Sequence, residues 1–410
     1  MIAAAGALLG AAALPACTNA PPRSVAAIHE AAFVLDVHAD IAMPDTASIY
    51  LGADGRSQVA PDKLAAGGVD AVVLSLAVPP GPRTEEADAA AHAEAMAKVA
   101  EVNRRVAASG AALTLARSAD NLVAAHEAGT TAIILGFQNA RALEGSLDRI
   151  DDFYASGVRM FAFNHIAHNE FSDSSRPLFD SEKGAFEPTE EHGGLSDLGR
   201  AAVARINDLG ALIDVSQSSR AATLEMIALS RTPVIASHSN AKAMSDATRN
   251  LSDEEIDRIG ETGGVIGVAA FSAYLVDYSD PELKAAILER RRGVGLPDRY
   301  AYPYELYWEL DDTAVRRTFL TGMSDTIGSS SVGRMVDHID YIVERIGIDH
   351  VAIASDFNHG GGVSGFEDAN QAPAITAELV ARGYSEADIG KIWGGNFLRV
   401  LRAAEAGRAR

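Results

Sequence analysis

The chain is poor in the features that mark several common protein classes. Its 410 residues include a single cysteine, Cys17, which excludes an internal disulfide framework. Acidic residues outnumber basic ones, for a formal net charge of −21. Such a surface repels phosphate backbones and argues against nucleic-acid binding. The N-terminal apolar run over 2–14 stops short of the roughly 20 residues that a membrane-spanning helix needs. No Gly-x-Gly-x-x-Gly follows the first strand-like segment, so a dinucleotide-type phosphate cradle has no support. Nearly half of the residues (48%) are nevertheless apolar, which is ample material for a buried core.

The run 2–14 leads into Leu14-Pro15-Ala16-Cys17 and then a polar, proline-rich stretch. Its length fits the hydrophobic region of an export signal. A lone cysteine after a small residue at the end of such a run resembles the lipobox of bacterial lipoproteins. Residues 1–24 are expected to be an export segment, with a lipid anchor on Cys17 or an ordinary cleaved signal as the two outcomes. The expected location is the periplasm, free or membrane-anchored. The positive residues that usually precede such a run are absent.

Beyond this segment, short apolar runs alternate with amphipathic stretches. The runs cover 33–40, 69–78, 131–137, 158–165, 211–216, 232–239, 264–271 and 350–357. Nearly continuous, β-branched apolarity marks strands buried on both faces, as in parallel sheets covered by helices. Helical patterns occupy 86–108, 146–156, 196–209, 219–230, 252–261, 332–346 and 375–405, several with cap signals such as Ser196-Asp197 and Ser252-Asp253. Eight such alternations predict an α/β fold, a (β/α)8 TIM barrel, with a doubly wound open sheet as the rival. Residues 25–410 are expected to form one barrel domain, in which 272–329 is a long insertion after the seventh strand. The insertion carries RYAYPYELYWEL (299–310) and reads either as a lid or dimer contact, or as a surface excursion with its own small core.

Chemistry in such a barrel sits at the C-terminal ends of the strands. The first run ends in His38-Ala39-Asp40, and residues two apart in a strand share a face. An imidazole and a carboxylate so placed can bind one divalent metal. Gln138 ends the third run, His165 the fourth, Asp214 and Gln217 the fifth, His238 the sixth and Asp356 the eighth. Each has a bland reading alone, as a helix cap or a satisfied core histidine. Polar groups gathered at one end of six strands are harder to reconcile with packing, because burying them unpaired is costly.

DVHAD (36–40), GGLSDLGRAAVARINDLGALIDVS (193–216), TPVIASHSNAKAM (232–244), TRNLSDEEI (248–256), MVDHIDYIVERIGIDHVAIASDF (335–357) and GGNFLRVL (394–401) together resemble the membrane (renal) dipeptidase family. The resemblance runs over roughly 30–405 and implies a zinc-dependent dipeptidase of the amidohydrolase type. It implies His38, Asp40 and Asp356 at a first metal, with Asp356 also the proton acceptor. It implies His238 at a second metal, His165 polarising the scissile carbonyl, and Arg249 gripping the dipeptide's carboxylate. A homodimer is a further implication, supported by the aromatic insertion.

Two positions depart from the family pattern. Gln138 stands where a glutamate usually bridges the two metals, and Gln217 stands where a histidine usually follows the fifth strand. A neutral amide offers only a carbonyl oxygen, so Gln138 and Gln217 are weak ligands, and one zinc ion or two per chain are both open. Glu144, His168 and His359 are the candidates to compensate. Glu144 is poorly placed, and the two histidines read as solvent-exposed loop residues. Asn139, beside Gln138, reads as a turn-shaping hydrogen bonder. Three functions compete: a metallopeptidase cleaving dipeptides or small peptide-like amides, a maturation enzyme for a peptide-like metabolite on the same scaffold, and a non-catalytic periplasmic binding protein.

Overall fold

The structure is a computed structural model that describes residues 23–180, 183–296, 298, 310 and 312–409. The export segment through residue 22, including Cys17, lies outside the described residues, as does the aromatic stretch 299–310 apart from Leu310. No helix among the described residues is long and apolar enough to cross a membrane.

Each of the eight apolar runs contains a barrel strand: β1 (Leu35–Asp40), β2 (Ala71–Ala77), β3 (Thr131–Gln138), β4 (Val158–Ala162), β5 (Leu212–Asp214), β6 (Ile235–Ala236), β7 (Val265–Ala269) and β8 (Val351–Ala354). They pair in parallel and in chain order. The circle closes where Asp356 N donates to His38 O (3.0 Å) and Asp40 N donates to Phe357 O (2.8 Å). The (β/α)8 barrel therefore holds and the open sheet does not. A short extra strand, Leu113–Leu115, pairs with the start of β3. A two-residue hairpin (Phe179–Asp180 with Ala185–Phe186) sits in the long connection after β4.

Local chemistry explains the helices between the strands. The helix Asp253–Glu261 starts on a capping box: Ser252 N donates to Glu255 (2.8 Å) and Glu255 N donates back to Ser252 Oγ (3.4 Å). Its buried Ile256 and Ile259 join the main apolar cluster between strands and helices. A second apolar cluster contains Leu35, Val37, Val73, Ile134, Met160 and Leu212 together with Phe397 and Leu401 of the helix Asn396–Ala406.

One irregularity positions the site. The register of β1 on β2 shifts between Asp36 and Ala39. A Cβ on Gly267 would lie 2.6 Å from Val37 Cγ2, and β1 and β7 are not neighbours, so Val37 points across the barrel. His38, the next residue, also reaches inward, to Ser237. A bulge of this kind re-aims a strand's side chains, and strict alternation would not allow it. Asp36 pins it, accepting from His38 N (3.2 Å) and Ser355 N (2.9 Å).

The insertion has a core of its own. Its helices Ser272–Leu275, Pro281–Gly293 and Thr313–Ile327 bury Tyr274, Tyr278, Ile287, Phe319 and Met323 against one another. The last of these helices also covers the barrel mouth.

Candidate metal centre

The C-terminal mouth of the barrel holds a cavity of about 370 Å³. Asp40, Gln138, His165, Gln217, His238 and Asp356 line it, joined by Tyr50, Arg176 and His359 from the surrounding loops and by Leu320 and Thr321 of the insertion. The polar strand ends thus meet in one space. Three residues there, Gln138's neighbour Asn139 (φ 84°), Gln217 (φ 65°) and Asp356 (φ 55°), adopt left-handed backbone conformations that non-glycine residues rarely accept. Strain of this kind concentrates at functional sites.

One half of the cavity is anionic. His38 Nε2 lies 3.7 Å from Asp40 Oδ1 and 4.0 Å from Asp356 Oδ1. Asp40 Oδ1 is buried without a hydrogen-bond partner among the described residues. A carboxylate oxygen left so is costly unless a cation meets it. Nitrogen and oxygen donors of this kind suit zinc. Asp40 Oδ2 is 2.8 Å from His359 Nδ1. Burial alone would raise the Asp40 pKa, but the charge and hydrogen bond of His359, with help from His38, hold it well below the usual carboxylate range. Reciprocally, burial would lower the His359 pKa, and Asp40 outweighs it and raises it.

The other half shows no carboxylate facing the cavity among the described residues, and the His238 ring is hydrogen-bonded on both sides. His238 Nε2 meets the amide nitrogen of Gln217 at 2.9 Å and that of Gln138 at 3.3 Å. Arg176 Nη2 donates to Gln217 Oε1, and a guanidinium has only donors, so it fixes which way that amide faces. On the far side His238 Nδ1 donates to Ser237 Oγ (2.8 Å), which donates to Asp214 Oδ2 (2.5 Å). Burial, reinforced by His38 and Arg249, pushes the His238 pKa well below its ordinary value and keeps the ring neutral. Its cavity-side nitrogen is already an acceptor for two amides.

His38, Asp214 and His238 also bring potential ligand atoms within 4.8 Å of one another. Asp214, however, already accepts from Ser216 N (2.9 Å), Ser237 N (3.0 Å) and Ser237 Oγ, and it does not line the cavity. It orients the two stacked imidazoles, whose centroids are 3.7 Å apart, from behind.

The remaining candidates fall in different places. His165 lines the cavity with Nδ1 3.3 Å from Val78 O, so its neutral form leaves Nε2 as an acceptor. Burial, then the charges of His359 and Arg176, lower its pKa well below the ordinary value. Arg249 is buried, stacks on the Tyr274 ring at 4.2 Å, and lines a smaller adjoining cavity of about 140 Å³ that shares Gln217 with the main one. Its three guanidinium nitrogens have no hydrogen-bond partner among the described residues. Asn139 caps a short turn, accepting from Arg141 N (3.3 Å) and donating to Val78 O (3.2 Å). Glu144 pairs with Arg149 (2.7 Å) and does not line the cavity.

The expectation of two solvent-exposed loop histidines is corrected. His168 is buried, with Nδ1 accepting from Ser174 N (2.9 Å) and Nε2 donating to Pro188 O (2.7 Å), because it braces the loop after β4. His359 is half-buried in the cavity, held there by Asp40 and by stacking on Tyr50 at 5.3 Å. Arg176 and Tyr50 lie outside the quoted motifs, and nothing in their sequence context points to the site; Ser237 lies within TPVIASHSNAKAM beside His238, but its link to Asp214 is visible only in the fold.

Imidazoles and carboxylates converging at the mouth of an α/β barrel are the plan of a metallohydrolase site. The chain belongs to the membrane dipeptidase family, peptidase family M19, whose pattern matches residues 23–410. The crystal structure of the probable dipeptidase PvdM from Pseudomonas aeruginosa is 33% identical, with a TM-score of 0.84, covering 93% of this chain and 98% of that one. A metallo peptidase from Rhodobacter sphaeroides, liganded with a phosphinate mimic of the dipeptide L-Ala-D-Ala, shares the fold at 21% identity (TM-score 0.68; 90% of this chain, 99% of that one). Dipeptidase aclJ from Aspergillus oryzae is 28% identical over 281 residues, which are 68% of this chain and 53% of that protein. The chain spans about half the length of the curated relatives it matches first.

Proposed function

We propose that the protein is a zinc-dependent dipeptidase that hydrolyses dipeptides or small peptide-like amides and whose second metal site is weakened by Gln138 and Gln217. The observation behind this reading is the set His38, Asp40 and Asp356, with one Asp40 oxygen buried and unpartnered, in a cavity of small-substrate size. Family membership and the likeness to a probable dipeptidase support the same activity. The run 2–14, followed by Pro15-Ala16-Cys17, supports export with a lipid anchor on Cys17, and the aromatic stretch 299–310 supports a homodimer contact.

His38, Asp40 and Asp356 would hold the zinc ion. When bound, zinc lowers the pKa of a water molecule and polarises the scissile carbonyl. Asp356, at the end of β8, accepts the proton from the attacking water. The role implied for His165, polarising the scissile carbonyl, needs a donor, whereas the neutral ring turns an acceptor Nε2 to the cavity; it would donate to that oxygen only after taking up a proton. Arg249 keeps an unpaired fork that suits the substrate's terminal carboxylate. The helix Thr313–Ile327 covers the mouth and limits the length of what enters.

The amides Gln138 and Gln217 favour a second reading, in which the same scaffold matures a peptide-like metabolite. Metal analysis and dipeptide turnover of the purified protein separate the readings. One zinc ion with hydrolysis supports the dipeptidase. Zinc without dipeptide turnover points to the metabolite enzyme, and neither metal nor turnover points to a binding protein.

A further inference from the structure

We propose that Arg176 is the fixed second cation of this site: its guanidinium, anchored on Gln217, replaces a metal ion at the His238 half of the cavity and donates to the substrate's carbonyl oxygen. Only the role toward the carbonyl rests on the dipeptidase reading; the replacement of a metal ion does not.

The loops that follow β4 and β5 build the placement. Ser175 N donates to Gln217 O (2.9 Å), and the hydroxyls of Ser174 (3.3 Å) and Ser175 (3.0 Å) converge on the same oxygen. The Arg176 backbone is tied down at both groups, with N donating to Ser174 Oγ (3.1 Å) and O accepting from Ala167 N (2.9 Å). The side chain is buried, lines the cavity, and bonds through Nη2 to Gln217 Oε1 and to His165 O (3.4 Å). Among the described residues its side chain bonds to no carboxylate, and its Nε is buried without a partner. Its charge therefore meets no carboxylate at hydrogen-bond distance among those residues.

The identity of the two amides follows from this cation. A carboxylate at position 138 or 217 would pair with the guanidinium and cancel it. An amide at 217 accepts from Arg176 and passes a donor on to His238, whose proton then points to Ser237 and Asp214. A divalent ion at His238 would have to displace that donor and sit beside a like charge in a buried space. A preorganised guanidinium can supply the electrostatic stabilisation that a second ion would otherwise give.

Zinc content by plasma mass spectrometry, measured on the dialysed full chain, tests the replacement. Wild type is expected to hold one zinc ion. The Gln138→Glu/Gln217→His double variant is expected to stay at one, because Arg176 remains and takes the carboxylate introduced at position 138 as its own partner, which keeps that carboxylate from a metal ion. Adding Arg176→Ala is expected to raise it to two. Two ions in wild type or in the double variant, or one in the triple variant, would overturn the proposal. Should the triple variant not fold, Arg176→Met decides instead. Its zinc content should remain one while kcat on a dipeptide falls roughly 10²–10³-fold, the range for losing one oxyanion donor. Arg176→Lys should recover at least about tenfold of that loss. A kcat within about twofold of wild type in Arg176→Met sinks the proposal. A wild type with one zinc ion and no dipeptide turnover defeats the dipeptidase reading, and the metal counts still judge Arg176.

Discussion

The two halves of the cavity face each other across stacked imidazoles and solve opposite electrostatic problems. Around His38 the protein gathers two carboxylates, leaves an Asp40 oxygen without a donor, and sets His359 against the other oxygen. Around His238 it gathers two amides, a hydroxyl and a guanidinium, and the ring's hydrogen bonds are complete. An incomplete anionic cluster invites a cation, because unpaired buried charge is costly. A hydrogen-bonded network that holds a guanidinium resists one, since any ion must first break bonds that already exist and then sit beside a like charge. The same residue type, histidine on the same barrel rim, therefore sits beside an unpaired carboxylate oxygen in one half and is a link in a hydrogen-bond chain in the other.

Several substitutions break or sharpen this contrast. Asp356→Asn in the anionic half should lower kcat/KM by roughly 10²–10⁴-fold, the range for a lost general base; steady-state kinetics on a dipeptide reads it, and unchanged turnover would remove Asp356 from the mechanism. Arg249→Met should weaken substrate binding by about 1.5–3 kcal/mol, the scale of a charge-assisted hydrogen bond. The loss should appear in KM and vanish with a substrate whose carboxylate is amidated. Behind the neutral half, Ser237→Ala strips a donor from Asp214 and an acceptor from His238, and should cost about 1–3 kcal/mol of stability in urea unfolding.

His359→Asn should have the smallest effect at neutral pH and should show its effect in acid. His359 is what holds the Asp40 pKa down against burial. The ionised carboxylate, and with it metal retention, is present above that pKa and lost as pH falls through it. Removing His359 raises the Asp40 pKa, so the acid limb of zinc retention should move to higher pH. A limb that stays put, followed by zinc release during acid titration, would dissociate Asp40 from His359.

The barrel was legible because its signal is local. Runs such as 131–137 and 350–357 are continuously apolar, and the cap at Ser252 is written in four residues, so strands and helix starts appear in order. The strand-end residues His38, Asp40, Gln138, Gln217, His238 and Asp356 were legible for the same reason, since a parallel barrel puts all such ends on one face. Strict alternation did not foresee the β1 bulge, which turns Val37 and His38 inward together. His168 and His359 misled because flanking residues do not report burial. Each is held by partners distant in the chain or across a loop, Pro188 for one and Asp40 for the other.

Residue order specified the eight-fold alternation and the face on which polar chemistry gathers, and the family resemblance marked Gln138 and Gln217 as departures. Only the tertiary structure decided what those amides do. Arg176 reaches Gln217 from another loop, 41 residues away in the chain, and Asp214 reaches His238 through Ser237. The reason is physical: hydrogen-bond direction and uncancelled charge depend on which groups meet in space, and periodicity along the chain carries neither.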